Sequence, residues 1–184
     1  MLWIYWAIIA LVVVVIAAFI IYYNRFTVLN NRIDNSLAQI DVQLRKRADL
    51  IPNLINTVKE YRDYEKSVLL QVTKARTAFL DAKDFKGRLK AGNQMQAALK
   101  SIFAVAESYP QLKANENFLQ LQQELSAIED KVAYSRQYYN DSILSFNNSS
   151  KVFPAKMFFN LYNFKEREYL QIPEEARAVP KVEF

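Results

Sequence analysis

FLQLQQELSAIEDKVAYSRQYYNDSILSFNNSSKVF, residues 118–153, carries the cleanest repeat in the chain. Phe118, Leu121, Leu125, Ile128, Val132, Ser135, Tyr139, Ser142, Phe146, Ser149 and Phe153 recur in alternating steps of three and four. That is a period of about 3.5 residues held for roughly five repeats, and it predicts one long helix with coiled-coil-like packing. One heptad position stays large (Phe118, Leu125, Val132, Tyr139, Phe146, Phe153). The other passes from Leu121 and Ile128 to Ser135, Ser142 and Ser149, small residues that let a neighbouring helix come close. Core packing accounts for both series. Asn115 is placed to cap the helix at its N-terminus.

Upstream the same periodicity continues. Leu29, Ile33, Leu37, Ile40, Leu44, Ala48, Ile51, Ile55 and Val58 recur about every 3.6 residues, with Pro52 expected to kink or weaken the run. Val68, Leu69, Val72, Ala75 and Phe79 predict a second helix. Gly87 and Gly92 read as brackets around a basic loop. Met95, Leu99, Ile102, Val105 and Tyr109 then predict a third helix ending at Pro110. The fold class is therefore all-α, four helices over about Asn24–Glu60, Tyr64–Asp84, Asn93–Tyr109 and Glu116–Val152. The outer two are roughly 55 Å long and the inner two about half that. In an up-down arrangement the short pair would leave apolar stripes uncovered near Ile33, Ile40, Tyr139 and Phe146. Such stripes predict cover by a second copy, hence a homo-oligomer.

The chain has 184 residues and is 52% apolar, an excess concentrated at one end. Met1 to Tyr23 is apolar throughout; the remainder is about 45% apolar, an ordinary value. Leu2 to Tyr23 gives about 33 Å of helix, enough to cross a bilayer core. Trp3, Tyr5 and Trp6 mark one interface and Tyr22, Tyr23 and Phe26 the other. The missing basic leader, the long apolar run and the lack of a small-x-small site argue against a cleaved signal peptide. No Lys or Arg precedes the run, whereas Arg25 and Arg32 follow it. The positive-inside rule puts the N-terminus outside and the large domain in the cytoplasm. The expected division is 1–24 anchor, 25–153 helical bundle, and 154–184 aromatic-rich short helix and tail.

Two Gly and five Pro are too few for a turn-rich β fold. Zero Cys excludes disulfides and thiolate chemistry, and zero His removes the commonest general base and metal ligand. Asp34 and Asp41 lie on one helical face, with Arg45 four residues after Asp41 as a helix ion pair; Glu174 and Glu175 form a second acidic pair. Ion pairing and solvation account for these, and Ser135, Ser142 and Ser149 have no His beside them. No Gly-rich phosphate loop or nucleophile elbow occurs. The reading is of no catalytic, cofactor-binding or metal-ligating residues, no cofactor and no enzyme. A net charge of +5 is interspersed with acids and lacks an aromatic-basic platform, so no nucleic acid is expected as partner. Arg45-Lys46-Arg47 reads as a solvated face, about 33 Å from the bilayer along an upright helix and beyond the reach of lipid charge.

Long ordered segments resemble the LemA family of bacterial membrane-anchored proteins. They are NRIDNSLAQIDVQLRKRADLIPNL (Asn31 to Leu54), ESYPQLKANENFLQLQQEL (Glu107 to Leu125), the ladder Tyr139-Asn140, Phe146-Asn147 and Phe153-Pro154, and the tail EEARAVPKVEF (Glu174 to Phe184). The resemblance implies one membrane helix and an antiparallel four-helix bundle of largely unknown function, at the bacterial inner membrane. It also implies relatives that shape internal membranes in magnetosome-building bacteria. Glu60-Tyr61 and Tyr64-Glu65 stand where the family often has a Gly-Tyr break and a His-Glu pair, and Leu37 stands where a Trp is common. The end of the first helix is thereby left open.

The expected function is a non-enzymatic, membrane-anchored scaffold or adaptor that self-assembles and shapes membranes. Its expected partners are the lipid bilayer, further copies of itself and a membrane protein. The alternative is a regulatory partner of a membrane protease or envelope-stress system. FPAKMFFNLYNFKEREYL, Phe153 to Leu170, admits two roles. Its aromatics either pack on the stalk, or lie on the bilayer through Phe158, Phe159 and Phe164 with Lys151, Lys156 and Lys165 on phosphates.

Overall fold

The computed structural model describes residues 2–60 and 66–170. Among these every regular element is a helix: α1 (Leu2–Lys59), α2 (Lys66–Asp81), α3 (Phe85–Ala106), α4 (Pro110–Lys113), α5 (Glu116–Asn148) and α6 (Ala155–Leu161). The Glu174–Phe184 tail and the Glu174-Glu175 pair lie outside the described residues, as does Tyr61–Glu65. The chain divides into two compact units, one of residues 1–36 with 136–184 and one of residues 37–135.

α1 is the one helix among the described residues long and apolar enough to cross a membrane, and none of its apolar window is buried by protein. It continues without a break to Lys59, passing through Pro52. Proline brings no N–H, so it leaves the carbonyl four residues back, that of Ala48, without its helical donor. Arg76 of α2 supplies one, its Nε donating to Ala48 O at 2.9 Å. The expected weak joint at Pro52 is thus mended from outside the helix.

The second unit is built on the buried faces of α1, α2, α3 and α5. Leu44, Ala48, Ile51, Leu54 and Val58 are buried from α1, Val72 and Phe79 from α2, Met95, Leu99 and Ile102 from α3. α2 packs against α3. The expected basic loop between Gly87 and Gly92 does not exist: both glycines lie inside α3. Asp84 caps that helix by accepting the Gly87 N–H at 3.3 Å, which starts it well before Asn93. Gly92 is required by close approach rather than by a turn, since a Cβ there would sit 2.8 Å from Leu44 Cδ2. α3 ends at Ala106, three residues before Tyr109, and Pro110 opens the short α4.

Asn115 caps α5 as expected, accepting the Phe118 N–H at 3.0 Å. All ten heptad positions from Phe118 to Ser149 are buried. The eleventh is not. Phe153 is 78% exposed because α5 stops at Asn148. The Asn147–Ser150 run favours local side-chain bonds over helix, and Pro154 disfavours helical geometry at the residue before it. The small seam residues satisfy themselves: Ser142 and Ser149 donate to the carbonyls of Tyr138 and Ser145.

The apolar stripes expected to await a second copy are covered within the chain. Ile33, Ile40, Tyr139 and Phe146 are at most 8% exposed. In the first unit the cover comes from the C-terminal segment. α6 ends in a Schellman motif, Phe164 N bonding Phe159 O and Asn163 N bonding Asn160 O. Asn163 takes the left-handed position with φ 58°. The motif's apolar contact is present too, the Phe159 and Phe164 rings lying 5.9 Å apart.

Candidate functional site

The first unit holds the largest concentration of aromatic contacts, where α6 meets the end of the apolar run of α1. Ala155, Phe158, Phe159 and Tyr162 are spaced to share one face of α6, a spacing set by the helical repeat. Phe158 stacks on Tyr22 at 4.6 Å and meets Phe19 edge-on at 5.2 Å. Tyr162 lies against Phe19 and Tyr23, and its hydroxyl donates to the Phe19 carbonyl at 2.8 Å. Phe159 is 2% exposed and sits between Phe26 of α1 and Phe146 of α5, with ring centroids 5.6 and 5.3 Å away. Phe164 contacts the same two rings. Of the two roles open to this segment, packing on α1 and α5 is therefore what Phe158, Phe159 and Phe164 do. Lys151, Lys156 and Lys165 are exposed.

Beyond α6 the chain runs without regular structure from Phe164 to Leu170, and two asparagines of α5 hold it. Asn147 Oδ1 accepts the Arg167 N–H and Asn147 Nδ2 donates to the Arg167 carbonyl, both at 2.9 Å. Asn140 Oδ1 accepts the Leu170 N–H at 3.1 Å. The spacing matches: seven helical residues rise about 10.5 Å and three extended residues about 10 Å. Arg167 reaches α1, donating to Asn30 Oδ1 at 2.8 Å and pairing with Asp34 at 3.6 Å. Tyr139 directs its hydroxyl toward the Glu168 carbonyl. Burial raises the Tyr139 pKa above its ordinary value; Arg167 opposes this, and Asp34 and Glu168 add to it.

The asparagines escaped the heptad reading because they are polar and flank the seam. Their signal was present in the repeated aromatic-Asn pair at 139–140 and 146–147. Asp34 and Asp41 are not a working carboxylate pair: Asp34 takes Arg167, while Asp41 accepts from Arg88 Nε at 2.6 Å. Arg45 pairs with Asp49 rather than Asp41, at 3.3 Å.

The second unit contains the other polar constellation, and it corrects the reading of Arg45-Lys46-Arg47 as a solvated face. Arg47 is 1% exposed, donating to the Gly92 carbonyl at 3.3 Å and to Glu129, which also accepts from Gln96. Gly92 serves this arrangement twice, by admitting Leu44 and by lending its carbonyl. Glu129 borders an open cleft of about 200 Å³ with Leu99, Phe103 and Leu125. That is below the ~300–1,000 Å³ of small-molecule sites, and the one carboxylate in it already holds the buried arginine. Among the described residues no three Asp or Glu side chains are grouped to hold a metal.

The assembled features are a membrane-length apolar helix and a C-terminal segment clamped to its end. The sequence is similar to known proteins over most of its length. Magnetosome protein MamQ 1 and magnetosome protein MamQ 2 of Paramagnetospirillum magneticum are each 22% identical over 186 aligned positions, covering 87% of this chain and 68% of theirs. Protein LemA of Metamycoplasma hominis is 24% identical over 124 positions, covering 67% of this chain and 57% of its own length. The LemA family profile matches residues 36–184, most of the sequence, and the chain belongs to the LemA family.

Proposed function

We propose that this protein is a non-enzymatic scaffold or adaptor at the bacterial inner membrane, with α1 spanning the bilayer once and an antiparallel four-helix bundle in the cytoplasm. The observation that carries this is the clamp of α6 on Phe19 and Tyr22. It ties the C-terminal segment to the last turns of the apolar run, so the folded part is held at the bilayer surface. The sequence has neither His nor Cys, which removes the commonest general base and the thiolate nucleophile. Arg25 and Arg32 orient the chain with its N-terminus outside. The relatives named as magnetosome proteins support a membrane-shaping role, for which several copies must act together. Tyr138 and Leu144, exposed on α5, are left for such association.

The test is the mass of the full chain purified in mild detergent, with identification of whatever accompanies it. A defined homo-assembly supports the scaffold. A stoichiometric foreign membrane protein would favour the alternative, a regulatory partner of a protease or envelope-stress system, and a bare monomer would oppose both. Orientation has its own readout, because the chain lacks cysteine. An impermeant thiol reagent on intact spheroplasts should label Leu2→Cys and not Lys113→Cys.

A further inference from the structure

One face of α6 is spent on α1 and α5, but the opposite face is also apolar and nothing among the described residues covers it. Val152, Phe153, Met157 and Leu161 are 58, 78, 63 and 61% exposed. Met157 and Leu161 are four apart, the spacing of a single helical stripe, and Val152 and Phe153 lie just ahead of the helix, where the Lys156 N–H bonds the Val152 carbonyl. A short helix apolar on both sides is unusual in water. The contacts of its other face fix its level along α1. Phe158 and Tyr162, immediate neighbours of Met157 and Leu161, touch Phe19, Tyr22 and Tyr23, all inside the uncharged run that ends before Arg25. The Tyr162 hydroxyl, which would be costly to leave unpaired in hydrocarbon, is satisfied by the Phe19 carbonyl. Charge agrees as well. Residues 151–165 contain Lys151, Lys156 and Lys165 and not one Asp or Glu.

We propose that Val152, Phe153, Met157 and Leu161 form a lipid-inserting face, sunk into the headgroup–acyl boundary beside α1, with the three lysines on anionic lipid phosphates. The lipid contact expected of Phe158, Phe159 and Phe164 thus passes to the other side of the same helix. Each protomer would displace lipid in one leaflet beside its own anchor, an asymmetric wedge of the kind that bends membranes. This rests on the reading of Leu2–Tyr23 as a membrane span, and the test separates the two.

Single-cysteine variants Met157→Cys, Leu161→Cys, Val12→Cys and Tyr134→Cys of the full chain are labelled with an environment-sensitive fluorophore. They are then reconstituted into phosphatidylcholine–phosphatidylglycerol vesicles. Labels at 157 and 161 should lose most of their emission to lipids brominated near the headgroup end of the acyl chain. The label at 12 should lose it to lipids brominated deeper, and the label at 134 to neither. Lys151→Glu, Lys156→Glu and Lys165→Glu together should reduce quenching at 157 and 161 while leaving position 12 unchanged. Quenching at 12 without quenching at 157 and 161 overturns the inserting face and leaves the anchor standing. Absence of quenching at 12 overturns the anchor and the inserting face with it. A blue-shifted, unquenched label at 157 that appears only at high protein-to-lipid ratio means a second copy covers this face, and also overturns the proposal.

Discussion

Arg76 donates from Nε to the Ala48 carbonyl at 2.9 Å, replacing the donor that Pro52 cannot provide. Two sequence choices that look unrelated are thereby coupled. Arg76→Met should cost about 1–2 kcal/mol, the price of stranding a part-buried carbonyl. In a Pro52→Ala background the N–H supplied at position 52 serves that carbonyl, and the same change should cost at least about 0.5 kcal/mol less. A double-mutant cycle by chemical denaturation measures the difference. Additive effects would show that Arg76 does not stand in for the missing N–H.

Asn147 holds Arg167 by both of its backbone groups, and Asn147→Leu removes both bonds at once. The expected cost is about 2 kcal/mol, with about 1 kcal/mol for Asn140→Leu, which loses a single bond. Hydrogen exchange locates the effect: the Arg167 amide should lose protection in the first variant and the Leu170 amide in the second. Protection that persists in both would show that the aromatic contacts of Phe164 alone hold the segment.

Asn163 occupies a left-handed position that most residues enter at about 1–2 kcal/mol. Asn163→Gly should leave thermal stability unchanged or slightly higher, while Asn163→Val should destabilise by roughly 1–2 kcal/mol. Equal melting temperatures for the two variants would contradict the Schellman geometry.

Arg47 is buried and Glu129 is only partly so, and breaking the pair from either side is not equivalent. Glu129→Ala takes the carboxylate from a guanidinium held inside protein and should cost about 2–3 kcal/mol. Arg47→Met leaves a carboxylate that water can reach and should cost less. Because the arginine is buried, raising salt should change the Glu129→Ala penalty little. A penalty that disappears at high salt would place the pair at the surface.

Tyr139 contributes one pH-dependent term to stability at alkaline pH. Its pKa is raised in the folded chain, chiefly by burial, so the folded state holds the proton more tightly than the unfolded state. The sign follows from linkage: this contribution is fully present below about pH 10 and is lost as pH rises through and above that value. Tyr139→Phe should flatten the fall of melting temperature between about pH 9 and 11 relative to the parent. Parallel curves for the two proteins would refute a buried, hard-to-ionise hydroxyl.

The membrane-length run and the buried seam of α5 were legible in the sequence because both are properties of one helix. An apolar stretch of bilayer length and a stripe at a fixed period need no knowledge of what lies opposite. Phe118 to Ser149 followed the pattern, and Phe153 left it only where Asn, Ser and Pro ended the helix that carried it. Tertiary structure decided the rest. Gly92 reads as a loop residue until Leu44 approaches it; Arg47 reads as solvated until Glu129, distant in sequence, reaches it. The aromatics of α6 are ambiguous between protein and lipid for a physical reason. Burial in either removes the same apolar surface from water, so composition cannot separate them. Only the placement of Phe158 and Tyr162 on α1 shows which face of α6 is spent on protein.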